Sequence, residues 1–282
     1  MEKYNIFQRM ERKIDFQFEY EKIEGIILNE NDGHQTIENE IEDNFSSWSY
    51  KGNYLSFLEL RSELGFTYEC DERWELIPQA QITKIDEFIL YCDMILNMFY
   101  VLWEKNKNFW LRSWPPYIQK IIDIIKYDLD KIGHKIYETK DGKILIVQKD
   151  PAAVAVADIV EPNLADTIME YNHYLLKGDM KTKQSILKII ADALEPKRAN
   201  LRQANKKIET EFFYLVNNMN VRHNNCDESN LKCYNEKFAK LSEEEKEEWY
   251  DEIYQESLMA FLVLEQVERT KKIEEFKNIC VS

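Results

Sequence analysis

The chain is poor in the residues that interrupt helices. Its 282 residues include only 7 glycines and 6 prolines. An all-β fold needs many turns, so this scarcity disfavours a sandwich or barrel and favours long helices. Because 44% of the residues are hydrophobic and 13% are aromatic, the chain can bury a sizeable core, and disorder is not expected.

Cysteine is also scarce, and its number is odd. The five cysteines are irregularly spaced, which argues against a disulfide framework. The first residues do not resemble a signal peptide. The most apolar run, residues 82–103, is interrupted by Asp86, Glu87 and Asp93, which disfavours a membrane span. We therefore expect a cytoplasmic protein with reduced thiols and no membrane contact.

Apolar residues at spacings of three and four predict helices along most of the chain. The helices are predicted over residues 3–28, 36–44, 53–64, 78–105, 117–132, 163–177, 181–194, 208–221 and 243–277. Asp141 and Gly142 lie between two β-branched runs and predict a hairpin over about residues 135–148. Residues 66–76 fit either short strands or coil. The expected fold is mainly α, a helical bundle with one inserted β-hairpin.

A break at Trp110–Pro116 is the best candidate for a domain boundary, because Pro115 and Pro116 end one helical pattern and start another. It separates an N-terminal helical region, residues 1–110, from residues 111–282. The N-terminal region offers no indication of its role.

The most informative stretch runs from Asn217 to Asn225. It follows a helical face made by Ile208, Phe212, Leu215, Val216 and Met219. If that spacing continues, Arg222 and His223 lie at the end of this apolar face. Arginine holds a phosphate bidentately, and histidine titrates near neutrality. The pattern therefore predicts a phosphodiester-binding site.

Charge is unevenly distributed along the chain. The net charge is −15, yet residues 177–207 carry nine basic residues against three acidic ones, a local charge of +6. A basic surface beside Arg222 and His223 would suit RNA. The candidate RNA-binding residues are Lys197, Arg198, Arg202, Lys206 and Lys207. The alternative is that these side chains only solvate helix faces.

The C-terminal part, about residues 134–282, resembles the HEPN superfamily found in bacterial abortive-infection and toxin–antitoxin proteins. The similarity rests on Asn217-Asn218 leading into Arg222-His223-Asn224, on the long closing helix around residues 248–251, and on residues 186–198. The resemblance implies a helical bundle, a metal-independent endoribonuclease activity directed at RNA, and a homodimer that assembles the groove. It implies neither a metal nor another cofactor.

Within that resemblance, Arg222 and His223 are the catalytic candidates. Arg222 would hold the phosphate oxygens, His223 would act as the acid or base, and Asn218 and Asn224 would orient the imidazole or the ribose. The sequence departs from the family pattern at residues 227–229, where no second histidine occurs. The second proton transfer would then need the partner copy.

Two alternatives remain open from the residues alone. Arg222 could pair with a carboxylate of the last helix, such as Asp251 or Glu252, so that the chain is a non-catalytic helical interaction module. A zinc site made by His223, Cys226, Cys233 and Asp227 is the weaker alternative, since the spacing fits no common zinc motif.

Overall fold

The computed structural model describes residues 14–29, 35–106 and 115–281. Helices dominate, with two small two-stranded sheets, so the predicted mainly α fold with a β-hairpin is confirmed. The chain divides into two compact units, up to Ile146 and from Val147. The boundary predicted between residues 110 and 111 lies within residues 107–114, which are outside the described residues. The helices on either side of it, Ile85–Asn106 and Pro116–Lys131, both belong to the first unit.

The first unit is built around one long central helix. Its elements are α1 (Phe16–Asn29), α2 (Ile37–Phe45), α3 (Phe57–Glu63), β1 (Tyr68–Cys70), β2 (Leu76–Pro78), α4 (Ile85–Asn106), α5 (Pro116–Lys131), β3 (His134–Glu138) and the first residues of β4 (Ile144–Gln148), a strand that continues past the boundary between the units. Helix α4 packs against α1, α2 and α5. Its apolar stripe, which includes Phe88, Ile95 and Phe99, is buried and forms the centre of the core.

Local side chains fix where these helices begin. Thr36 and Ser56 accept hydrogen bonds from the amides three residues on and cap α2 and α3. Sequence spacing places the start of α4 at Pro78, and this is wrong. Pro78 instead ends β2, while the carboxylate of Glu87 accepts hydrogen bonds from the Thr83 and Lys84 amides at 2.9 and 3.0 Å, so the helix begins at Ile85.

Residues 66–76, which fit either strands or coil, contain the short strand β1 and the first residue of β2. β1 and β2 pair antiparallel, with Glu69 opposite Ile77. Beside them lies an ion pair in which Arg61 and Glu24 are both fully buried, with 2.6 Å between Nη2 and Oε2. Arg61 Nε also donates to the Phe66 carbonyl at 3.0 Å. These bonds offset the large cost of removing both charges from water.

The predicted hairpin is present as β3 and β4, with a turn at residues 139–143. The amide of Thr139 donates to the Lys143 carbonyl at 2.9 Å. Gly142 has φ +82°, and a Cβ atom there would collide with the side chain of Tyr100 on α4. Glycine is therefore required both for the backbone conformation and for close packing on α4.

The second unit contains the remaining helices. They are α6 (Pro151–Ala157), α7 (Pro162–Tyr171), α8 (Met180–Leu194), α9 (Arg198–Ala204), α10 (Lys206–Asn218), α11 (Glu236–Ala239) and α12 (Glu243–Val281), with short 3-10 turns at Tyr174–Leu176 and Glu195–Lys197. Helix α12 packs against α6, α8, α9 and α10. Ser242 and Glu245 match the capping-box pattern at the start of this helix, and the structure forms it: Ser242 Oγ accepts from the Glu245 amide, and the Glu245 carboxylate accepts from the Ser242 amide.

Candidate functional site

The helix that precedes the Arg-His pair ends earlier than its apolar spacing predicts. Helix α10 stops at Asn218, and Asn220 adopts a left-handed conformation with φ +59°. The Arg222 amide then donates to the Val216 carbonyl at 3.0 Å, which turns the chain back. Arg222 and His223 therefore lie in a loop, and the expectation that the helical stripe continues to them is wrong.

Asn225 is the residue around which this loop folds. Its side chain is buried, and its Oδ1 accepts from the Asn220 amide at 2.8 Å. In return, the Asn225 amide donates to Asn220 Oδ1 at 3.0 Å. Asn225 Nδ2 donates to the carbonyls of Asn217 and Cys233 at 3.1 and 2.5 Å. The concentration of asparagines in this stretch thus has a structural use, because amide side chains supply donors and acceptors where helical bonds end.

Arg222 is held by protein groups on α8 and in the turn that follows it. Its guanidinium donates to the Glu195 carboxylate, and its Nη2 donates to the Ala191 carbonyl at 2.9 Å. It also lies over the Phe213 ring, 5.3 Å from the centroid. The side chain is only 15% exposed. Both Nη groups that would grip a phosphate are thus already engaged, while Nε is buried without a hydrogen-bond partner among the described residues.

The other candidate side chains around Arg222 do not join it in a site. His223 is exposed, and its carbonyl accepts from the Asn225 amide at 2.9 Å. Asn218 Nδ2 donates to the Tyr214 carbonyl of its own helix at 2.8 Å. Asn224 is exposed and lies 3.5 Å from an Asp227 oxygen. The structure therefore gives the arginine and the histidine different surroundings.

The two arginines of the basic segment converge on one buried carboxylate. Arg202 donates to both oxygens of Glu209 at 2.9 Å, and Arg198 Nε donates to it at 2.7 Å. These bonds from Arg202 and Arg198 outweigh burial and lower the pKa of Glu209 to about 2. Arg198 also stacks on Phe213, 4.2 Å from the ring centroid.

Acidic residues from outside the segment neutralise further members of it. Lys183 is buried, with Nζ 2.8 Å from Glu247 and 2.7 Å from Asp251. The sequence allowed Arg222 to pair with Asp251, and this is wrong, because Asp251 binds Lys183. Lys207 lies 3.7 Å from Glu211. The local charge of +6 along the sequence is therefore largely compensated in three dimensions.

The remaining two RNA-binding candidates are Lys197 and Lys206. Lys197 lies over the Phe261 ring, 5.6 Å from the centroid, and Lys206 is exposed. Lys197 also borders a cavity in the second unit.

That cavity is a groove of about 520 Å³ along α12, which we call the α12 groove. It is lined by Ile159, Val160, Lys197, Asn200, Gln203, Ala204, Phe261, Leu264, Glu265, Val267, Glu268 and Lys271. Phe261 is buried at its base, and the apolar side chains of Ile159, Val160, Leu264 and Val267 are half-buried. Charged and amide side chains make up the rest of the lining, apart from Ala204. Sequence spacing marks Leu264 and Val267 as part of the buried face of the last helix, and gives no sign that they border a cavity.

Within residues 14–29, 35–106 and 115–281, no cluster of three or more histidine, cysteine or carboxylate side chains is arranged to hold a metal ion. His223, Cys226, Cys233 and Asp227 thus do not converge. In the same residues, no helix combines the length and the hydropathy needed to cross a bilayer.

No family model, no curated protein and no solved structure matches this chain. The resemblance to HEPN proteins therefore stays a prediction.

Proposed function

We propose that this chain is a non-catalytic helical interaction module whose α12 groove binds an amphipathic segment of a partner protein. The observation that carries the proposal is the composition of that groove. Half-buried Leu264 and Val267 line it together with buried Phe261, and charged side chains such as Lys197 and Glu268 also belong to the lining. Protein-binding surfaces commonly combine apolar and charged side chains in this way.

The length of the groove supports a helical ligand. On α12 it runs from Phe261 to Lys271, eleven residues, which is about 15 Å or nearly three helical turns. Both signs of charge occur in its lining, with Lys197 and Lys271 against Glu265 and Glu268. A partner helix with an apolar face and mixed charges beside it would complement this surface.

The state of Arg222 weighs against the competing hypothesis of an RNA-cleaving enzyme. A nuclease of this kind needs a free guanidinium to hold the phosphate and an imidazole close to it. Arg222 is engaged by Glu195 and the Ala191 carbonyl, and releasing it would leave a partly buried charge unpaired. The exposed His223 is the one observation that favours catalysis.

The proposal is tested by site-specific photocrosslinking in cells. Leu264 is replaced by p-benzoylphenylalanine, and Met259 is the matched control because it is exposed and lies about 140° away around the same helix. We expect a protease-sensitive adduct from position 264 and none from position 259. A second copy of this chain in the adduct would establish the predicted homodimer. Equal adducts at both positions, or none at 264, would contradict the proposal.

Incubation of the purified protein with total RNA tests the competing function. We expect no cleavage by the wild type, and therefore no difference from His223→Ala or Arg222→Ala. If the wild type cleaves RNA and His223→Ala does not, with an unchanged melting temperature, the result would contradict the interaction module and support an endoribonuclease.

A further inference from the structure

A second groove, of about 620 Å³, lies in the first unit between α1 and α5. It is lined by Glu19, Lys22, Pro116, Gln119, Lys120, Asp123, Ile124, Tyr127 and Asp128. We call it the α5 groove. We propose that it binds a small aliphatic diamine, with one ammonium group paired to the buried carboxylate of Asp128. This site is independent of the function proposed for the second unit.

Asp128 is the observation that points to a ligand. The residue is only 2% exposed, and its Oδ2 is buried without a hydrogen-bond partner among the described residues. A buried carboxylate without a partner is strongly unfavourable, because it loses hydration and gains nothing in return. It must either hold a proton or receive a cation, and Asp128 itself belongs to the lining of the groove in which a cation could bind.

The charged groups that line the groove with Asp128 favour the binding of an added cation. On α1, Lys22 is already paired with Glu19, with 2.7 Å between Nζ and Oε2. On α5, Asp123 accepts a hydrogen bond from Gln119 at 2.7 Å and is otherwise exposed. With Asp128 ionised, three carboxylates face two lysines, Lys22 and Lys120, so the lining carries one net negative charge.

Burial and the nearby Glu19 carboxylate raise the pKa of Asp128 to about 7, while Lys22 acts in the opposite direction. From α4, the buried thiol of Cys92 also faces this carboxyl, and burial raises the pKa of that thiol well above its ordinary value, so it stays neutral and supplies no counter-charge. The carboxyl therefore changes its charge close to neutral pH, where a bound ammonium would favour the ionised form.

The shape of the groove selects an aliphatic amine. A primary ammonium is compact and presents three donors, which suits a single buried oxygen better than a planar guanidinium does. Pro116, Ile124 and the half-exposed ring of Tyr127 offer apolar surface for a short methylene chain. The exposed Asp123 lies on the same lining and can receive the second ammonium group.

Isothermal titration calorimetry with putrescine at pH 8 tests the site on the full chain. We expect saturable binding to the wild type and at least a tenfold loss of affinity in Asp128→Asn. The matched control is Asp130→Asn, which removes the same charge from an exposed position on the same helix, and its affinity should equal that of the wild type. Butanol, which has the chain but no charge, should not bind.

The pH dependence separates a specific pair from general attraction to an acidic protein. A carboxyl that titrates near pH 7 is about 90% ionised at pH 8 and about 10% ionised at pH 6, so affinity should fall roughly tenfold between them. Absence of binding at pH 8, or equal binding by the wild type and Asp128→Asn, would overturn the proposal. Circular dichroism checks that both variants are folded, and Asn is expected to fold because the Oδ2 atom has no hydrogen bond to lose.

Discussion

Replacing Asp128 by asparagine should stabilise the protein, and by an amount that grows with pH. In the folded chain the pKa of Asp128 is raised to about 7, against an ordinary value of 3.8. Between these values the folded state binds more protons than the unfolded state, so wild-type stability falls as pH rises. The gap corresponds to at most about 4 kcal/mol, and because Asp128 lines a groove open to solvent screening, we expect about 2 kcal/mol.

Urea unfolding followed by far-ultraviolet circular dichroism at pH 4, 5, 6, 7 and 8 measures this difference. The advantage of Asp128→Asn over the wild type should be small at pH 4, rise through pH 5 to 7 and level off at pH 8. Asp130→Asn corrects for the general effect of removing a negative charge. A difference that does not vary with pH, or a variant less stable than the wild type at pH 8, would refute the reasoning.

Three further changes test the contacts described above. Asn225→Ala should destabilise the second unit by about 2–3 kcal/mol, because several buried hydrogen bonds of the loop are lost. Amide hydrogen exchange of residues 219–235 should then be faster than in the wild type. Unchanged exchange would contradict this prediction. Glu209→Gln should lower the free energy of unfolding by about 1–3 kcal/mol, measured with urea at pH 7. Because the pKa of Glu209 in the folded wild type is lowered to about 2, the difference between wild type and variant should be full above about pH 4.5 and disappear as pH falls towards 2. Gly142→Ala should lower stability by about 1–3 kcal/mol in the same assay, owing to its positive φ and its approach to Tyr100; a wild-type melting curve would show that the turn adapts.

Much of the fold follows from local chemistry that can be recognised in the sequence. The strands of the hairpin lie within one residue of their predicted ends, because the Asp141-Gly142 turn and the β-branched runs act over short distances. The long last helix begins where the Ser242–Glu245 capping box places it. Helix ends set by distant or unusual bonds were less predictable, as at Ile85 and Asn218.

The candidate sites depended on contacts between residues far apart in sequence. Nothing in the order of residues indicates that Arg61 finds Glu24, 37 positions away, in the core. Likewise, nothing near Asp128 in the sequence distinguishes it from the exposed Asp123 and Asp130 on the same helix, yet it is buried and its pKa is raised.

The amino-acid order by itself determined the class of fold, since hydrophobic period, caps and turn residues act within a few positions of one another. Only the tertiary structure decided what each charge does. Coulomb interactions depend on separation and burial, and not on sequence distance. For that reason the basic segment became a set of ion pairs with Glu209, Glu247 and Asp251, and Arg222 was engaged by Glu195.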